Sequence, residues 1–197
     1  MNASSILEKF LTRKSIVTAT CLIALIAVGA KETAPPHVGP AATEDNIAVF
    51  FSPDGGCADA IVAQLGSAKK SIHMQAYYFS SPKIAKAVAE AFRRKVEVTV
   101  IVDKSIETAN YSSADYLANA GVPTFVDSEH AIAHNKVILI DGQLLITGSF
   151  NFTASAYTEN AENLLLLNNK PKIYAAYEKN FQEHLKHSKK HTGKGER

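Results

Sequence analysis

Two apolar runs meet at Asp141-Gly142: Lys136-Val-Ile-Leu-Ile140 before it and Leu144-Leu-Ile-Thr147 after it. An Asp-Gly pair between such runs is a tight hairpin signal, because both turn residues must take positive φ. Nearly every residue of both runs is apolar, so neither face of the hairpin can be left to water. A chain built around it must cover a sheet on both sides. The turn also implies a register. If Ile140 faces Gln143, Lys136 faces Thr147 and His134 faces Ser149. Side chains alternate with period two, and cross-strand partners share a face. His134, Lys136, Ser149 and, if the strand continues, Asn151 would then emerge together at the hairpin's open end. Asp141 has the opposite parity and reads as structural, an acceptor for turn backbone or a nearby cation.

The rest of the chain alternates strand and helix patterns. Ile47 to Phe51 reads as a strand closed by Ser52-Pro53-Asp54-Gly55-Gly56. A helix fits Cys57 to Ala68, with Ala58, Ile61, Val62 and Leu65 at helical spacing. Ser71 to Phe79 reads as a strand. Pro82 opens a helix to about Arg94, burying Ile84, Val88 and Ala91. Val96 to Val102 is a near-continuous apolar strand, Tyr111 to Ala120 a helix stopped by Gly121, and Val122 to Val126 a short strand. After the hairpin, Ala133–Ile140 and Gln143–Ser149, come a strand from Glu162 to Leu167 and a helix from Pro171 to Lys186. The expected class is α/β: a mixed, largely buried β-sheet with helices packed on both faces.

The ends differ from the middle. Lys9, Arg13 and Lys14 precede an apolar run from Ser15 to Val28, and Val28-Gly29-Ala30 offers small residues before Lys31. As a helix that run spans about 21 Å, at 1.5 Å per residue, short of a bilayer core of about 30 Å. Residues 1–30 are therefore expected to be a cleaved signal peptide, which implies a periplasmic or secreted protein; an uncleaved membrane anchor is the alternative. Cys21 follows Thr20 early in the run, the wrong place for a lipoprotein cleavage site. Cys57 is then the lone cysteine, excluding an intrachain disulfide, and reads as a small buried hydrophobe. Residues 31–46, rich in proline and alanine, read as a linker, 47–187 as the catalytic domain, and 188–197 as a basic flexible tail. Lys186, Lys189 and Lys190 offer a weak, non-specific nucleic-acid contact; the plainer reading is a solvated end. The net charge of +2 arises within residues 1–30, so global charge does not select an acidic partner.

The cluster at the hairpin's open end has coherent chemistry. A histidine can attack as a nucleophile or serve as a general acid or base. Lys136 supplies fixed positive charge, and Asn151 and Ser149 can donate hydrogen bonds to oxygens. Such a group suits a phosphodiester, whose attack concentrates charge on non-bridging oxygens. A nucleophilic imidazole also needs its far nitrogen held, and Glu162 is the candidate orienter. Alone, each residue has a plainer reading: His134 exposed, Lys136 solvated, Asn151 a turn former, Ser149 an edge residue, Glu162 a partner for some other cation. No metal site is expected. His130 and His134 would stand about 13 Å apart on a strand, too far for one zinc ion. His73, His184, His187 and His191 read as exposed or satisfied locally, Asp103 as a helix cap, and Tyr77, Tyr78 and Phe79 as core and rim.

His-x-Lys-x4-Asp followed by Gly-Ser-x-Asn resembles the signature of the phospholipase D superfamily. Phe51-Ser52-Pro53, Ala76-Tyr77-Tyr78-Phe79, Val102-Asp103, Gly148-Ser-Phe-Asn-Phe-Thr153 and Glu162-Asn163 extend the likeness over roughly residues 46–187, and together they resemble the small bacterial periplasmic endonucleases of that superfamily. The resemblance implies that His134 attacks phosphorus to form a phosphohistidine. Lys136 and Asn151 would bind the phosphoryl oxygens, with Ser149 helping, and Glu162 would hold the histidine. Asp141 and Gly148 would be structural parts of the motif. It implies no cofactor and no metal. Larger members carry two signatures per chain, whereas small ones build one site from two subunits. Mechanism points the same way, because the leaving oxygen needs an acid opposite the nucleophile and this chain carries one such histidine. A homodimer would supply the second. Nucleic acid is the favoured substrate, phospholipid head groups the first alternative, and a non-catalytic nucleic-acid or membrane-surface binder the second.

Overall fold

The computed structural model describes residues 39–109 and 112–193. The expected signal segment, 1–30, lies outside the described residues, as do 31–38 of the linker and 194–197 of the tail. Among the described residues no helix is long and apolar enough to cross a membrane. Nine strands form one sheet: β1 (Ala42–Glu44), β2 (Ile47–Ser52), β3 (Ser71–Ala76), β4 (Glu97–Asp103), β5 (Thr124–Asp127), β6 (Lys136–Ile140), β7 (Leu144–Gly148), β8 (Glu162–Asn168) and β9 (Lys189–Lys190). Among the described residues five α-helices accompany them: α1 (Cys57–Ser67), α2 (Pro82–Arg93), α3 (Ser113–Asn119), α4 (Ala154–Thr158) and α5 (Pro171–His187). The order across the sheet is β1-β2-β8-β7-β6-β3-β4-β5-β9. Only β3–β4 and β4–β5 pair in parallel, so the sheet is mixed, as expected.

Local sequence explains the starts. Gly56, at φ 82°, turns the chain into α1, whose Cys57, Ala58, Ile61 and Leu65 are buried. Ser81 caps α2 by accepting from the Ile84 amide, and Pro82 fits the first turn because its missing N–H would be unpaired there anyway. Ser112 caps α3 through the Ala114 amide. Helix α5 also opens on a proline, Pro171.

The two faces of the sheet are covered unequally. One carries the main core, where Ile61, Leu65, Ile84, Val88 and Leu117 from the helices pack on Ile72, Met74, Ile138 and Ile146. The other is covered by α5, whose buried Phe181 sits with Ile101, Val137, Leu139 and Leu145. Burying a side chain of that size contributes about 1.5–3 kcal/mol, so Phe181 is a main attachment of α5. Cys57 lies in the main core, fully buried, and burial pushes its thiol up to about 11.

Three boundaries differ from the sequence reading. Part of the supposed linker, Ala42–Glu44, pairs with β2 as an edge strand. The tail is not free at its start: Lys189 and Lys190 pair with Val126 and Phe125. Backbone pairing at a sheet edge, which composition does not report, decides both cases. Third, the hairpin register is shifted by one. Gln143 N donates to Ile140 O across Asp141 and Gly142, whose φ values are 55° and 78°, so the tight turn itself is present. The ladder, however, pairs Ile140 with Leu144 and Val137 with Thr147. Gln143 is bulged out, and its carbonyl is taken by the Asn169 amide instead.

Candidate active site

The site lies where β6, β7 and β8 end together. With the observed register, Lys136 shares a face with Ile138, Ile140 and Ile146, and Gly148 continues that row on β7. Beyond Gly148 the ladder is irregular again. The Ser149 and Phe150 amides both donate to Asn163 O, two residues against one. This second bulge brings Ser149 and Asn151 back towards Lys136. Gly148 is required at the approach: it has φ 151°, and a Cβ there would stand 2.3 Å from Asn163 O.

A cleft of about 520 Å³ is lined by His134, Lys136, Ser149, Asn151, Glu162 and Tyr177, among others. The structure thus brings together all five residues expected to carry the chemistry. His134 is exposed, and its ring lies 4.6 Å from that of Tyr77. Lys136 is 7% exposed, donates from Nζ to His134 O at 2.8 Å, and sits 5.1 Å above the Tyr77 ring. Burial pulls its pKa down, and the Glu162 carboxylate opposes that shift. The Asn151 amide oxygen, Oδ1, is buried without a hydrogen-bond partner. Such an acceptor costs about 1–3 kcal/mol unless a donor reaches it.

Glu162 is arranged differently from expectation. It lines the cleft with His134, but its hydrogen bonds run to Ser149 and Asn160 rather than to the imidazole. Ser149 Oγ donates to Oε2 at 2.6 Å, and Asn160 Nδ2 donates to Oε1 at 3.2 Å. Ser149 Oγ in turn accepts from Asn163 N and Nδ2. In this conformation the serine hydroxyl orients Glu162 and spends its proton there.

Asp141 stands at the other end of the hairpin. Its carboxylate accepts from the amides of Lys70 at 2.7 Å, Lys69 at 2.9 Å and Ser71 at 3.0 Å. Burial raises its pKa, but these hydrogen bonds outweigh that and hold the carboxyl below its ordinary value. It ties the hairpin turn to the start of β3. Asp103 was read as a cap and does more. Oδ1 accepts from Ser105 N, while Oδ2 accepts from Ala133 N at 2.7 Å, anchoring the segment just before His134. Lys186, Lys189 and Lys190 are exposed, but β9 lies four strands from β6, about 19 Å at the usual spacing.

A family model described as the cardiolipin synthase, phospholipase D-like domain matches residues 61–185. The chain belongs to the phospholipase D superfamily. Membership makes it a phosphodiesterase and leaves lipid and nucleic acid both open as substrates. It is 40% identical over 139 residues to a phospholipase D of Rickettsia prowazekii, a match covering 71% of this chain and 67% of that one. It is 35% identical to a mitochondrial cardiolipin hydrolase of Xenopus laevis, over 62% of this chain and 58% of that one. Among solved structures it resembles Nuc, a phospholipase D family member from Salmonella typhimurium, with 36% identity and a TM-score of 0.71. That match covers 74% of this chain and 97% of Nuc. The superfamily resemblance carried by the His134–Asn151 motif therefore holds.

A second cluster escaped the sequence reading. His184 and His187 are not satisfied within their own helix, and His130, though exposed on one side, joins them. All three rings converge on Asp127, which is fully buried. His191 bonds Asp115 Oδ1, and His73 bonds Glu178 while stacking on Phe181. The signal was present as two i,i+3 pairs, Asp127-x-x-His130 and His184-x-x-His187. They are separated by more than fifty residues, and nothing local joins them.

Proposed function

We propose that the chain is an exported, metal-independent phosphodiesterase that cleaves nucleic acid through a phosphohistidine on His134, at a site shared by two copies. The observation that carries this is the cleft itself. One exposed imidazole shares the cleft with a buried lysine, an amide and a carboxylate. In the proposed mechanism His134 forms the bond to phosphorus. Lys136 and Asn151 take the non-bridging oxygens, where charge accumulates. The leaving oxygen receives its proton from His134 of the second copy. Water, deprotonated by that same imidazole, then attacks phosphorus and frees His134.

Three observations support this reading over its rivals. The cleft is open and carries a lysine and a carboxylate, which suits a charged backbone better than an enclosed acyl chain. Ile132 is 56% exposed, Phe51 53% and Tyr78 50%. Each lies within two chain positions of a residue at the site end of the sheet, as a self-complementary contact between copies would need. Nuc is similar over nearly its whole length. The lipid reading keeps a specific basis, since the Rickettsia relative is called a phospholipase D and the Xenopus relative a cardiolipin hydrolase.

The deciding experiment gives the purified protein plasmid DNA, RNA, phosphatidylcholine vesicles and cardiolipin vesicles, each with and without excess chelator. DNA or RNA cleavage that survives chelation is expected. Lipid turnover without nucleic-acid cleavage would move the assignment to the lipid reading. A companion assay mixes a His134→Ala chain with the unaltered one. Mixed dimers should be inactive, and fully active ones would sink the shared site.

A further inference from the structure

The cluster around Asp127 lies outside the catalytic cleft, and the phosphodiesterase chemistry does not use it. Asp127 ends β5 with no exposed surface. Its Oδ2 has three imidazole nitrogens around it: His184 Nδ1 at 2.6 Å, His130 Nδ1 at 3.1 Å and His187 Nε2 at 3.3 Å. Oδ1 accepts from the Glu129 amide at 3.1 Å, which fixes the carboxylate's orientation. The four potential ligand atoms all lie within 4.8 Å of one another. The ring centroids are 4.7 to 5.4 Å apart.

Hydrogen bonding alone accounts poorly for this arrangement. His184 and His187 both aim at Oδ2, His130 Nδ1 straddles Oδ2 and Oδ1 at 3.1 and 3.3 Å, and Oδ1 already takes the Glu129 amide. All three rings would have to present N–H groups, and their conflict lies in crowding one carboxylate. A single cation at the centre removes the conflict, because each neutral imidazole then offers a lone pair and the carboxylate one oxygen. Three nitrogens and one oxygen form a four-coordinate set of the kind that binds zinc, with bonds of about 2.0–2.2 Å. Ligand atoms in such a tetrahedron stand about 3.3 Å apart. The observed separations from Asp127 Oδ2 are already close to that, and His184 needs to withdraw by several tenths of an ångström. The spacing supports it too: His184 and His187 share one face of α5, while Asp127 and His130 bracket the turn that leaves β5.

We propose that Asp127, His130, His184 and His187 bind one zinc-like divalent ion as a closed structural site. Its four protein ligands leave no position for substrate. The ion joins the last turn of α5 to the segment 128–135, which ends at the catalytic residues. That segment is otherwise held by Asp103 at Ala133 and by Lys104 Nζ on His130 O. The metal clamps the approach to His134 without touching phosphorus, so the ion and the metal-free reaction are separate properties.

The test uses the full chain, stripped with chelator, dialysed, and titrated with Co²⁺ and Zn²⁺. One equivalent of cobalt should bind with the strong visible absorption of a four-coordinate ion, and zinc should displace it. Saturating zinc should raise the thermal midpoint by about 5–10 °C. His187→Ala and His130→Ala should each weaken uptake by about 100-fold or more, while His73→Ala, outside the cluster, should bind as the unaltered chain does. Both cluster rings are partly exposed, and circular dichroism verifies that the variants fold. If the folded unaltered chain takes up no stoichiometric cobalt or zinc, the site is refuted. Uptake unchanged in folded His187→Ala and His130→Ala chains would refute it equally.

Discussion

Replacing Asp141 by alanine separates the structural half of the His134–Asp141 motif from its chemical half. The carboxylate accepts the backbone amides of Lys69, Lys70 and Ser71, and these bonds pin the hairpin turn to the start of β3. A hydrogen bond to a charged acceptor contributes about 1.5–3 kcal/mol. Two of these amides are solvent-exposed, so water recovers part of the loss. Asp141→Ala should therefore destabilise the fold by about 2–4 kcal/mol, and Asp141→Asn by less, since one acceptor oxygen remains. The pH dependence has a definite sign. The folded carboxyl lies below its ordinary value, so its contribution is fully present above the unfolded pKa of about 3.9 and is lost as pH falls through the folded value. Urea unfolding of both chains at neutral and acid pH measures this, and the gap between them should close in acid. Phosphodiesterase activity per folded molecule should stay close to that of the unaltered chain. A variant of unchanged stability but abolished turnover would refute the reasoning, because Asp141 would then belong to the reaction.

Two further substitutions probe the cleft. Gly148→Ala places a methyl 2.3 Å from Asn163 O at a φ of 151°, so β7 and β8 must part beside Ser149. We expect a loss of about 2–4 kcal/mol in urea unfolding, and a loss under about 0.5 kcal/mol would contradict the tight approach. Lys136→Met keeps the buried stem and removes the cation. Turnover should fall by about 100- to 1000-fold with a near-native unfolding midpoint, and a change confined to KM would argue that Lys136 binds substrate without stabilising the transition state.

Legibility followed the range over which each signal acts. The apolar runs of β6 and β7 and the proline-opened starts of α2 and α5 rest on neighbours a few residues apart, so they could be read directly. The site's composition could be read as well, because His134, Lys136, Ser149 and Asn151 lie on or within three residues of two consecutive strands. Their convergence was foreseen from a register that proved one residue off. Two bulges, at Gln143 and at Ser149-Phe150, compensate for that shift, and each depends on a carbonyl or amide of another segment, Asn169 or Asn163. The partner of Glu162 was misjudged for a similar reason: Asn160 and Ser149 reach it first.

The sequence by itself determined the layered α/β class, the hairpin and membership of the phospholipase D superfamily, because continuous apolar runs and a short motif are local properties of the chain. Only the tertiary structure decided that Ala42–Glu44 and Lys189–Lys190 join the sheet, and that Asp127 meets three imidazoles. Those pairings join residues far apart in the chain, and what selects them is the docking of α5 through Phe181 and the free edges of β2 and β5, which no local pattern encodes.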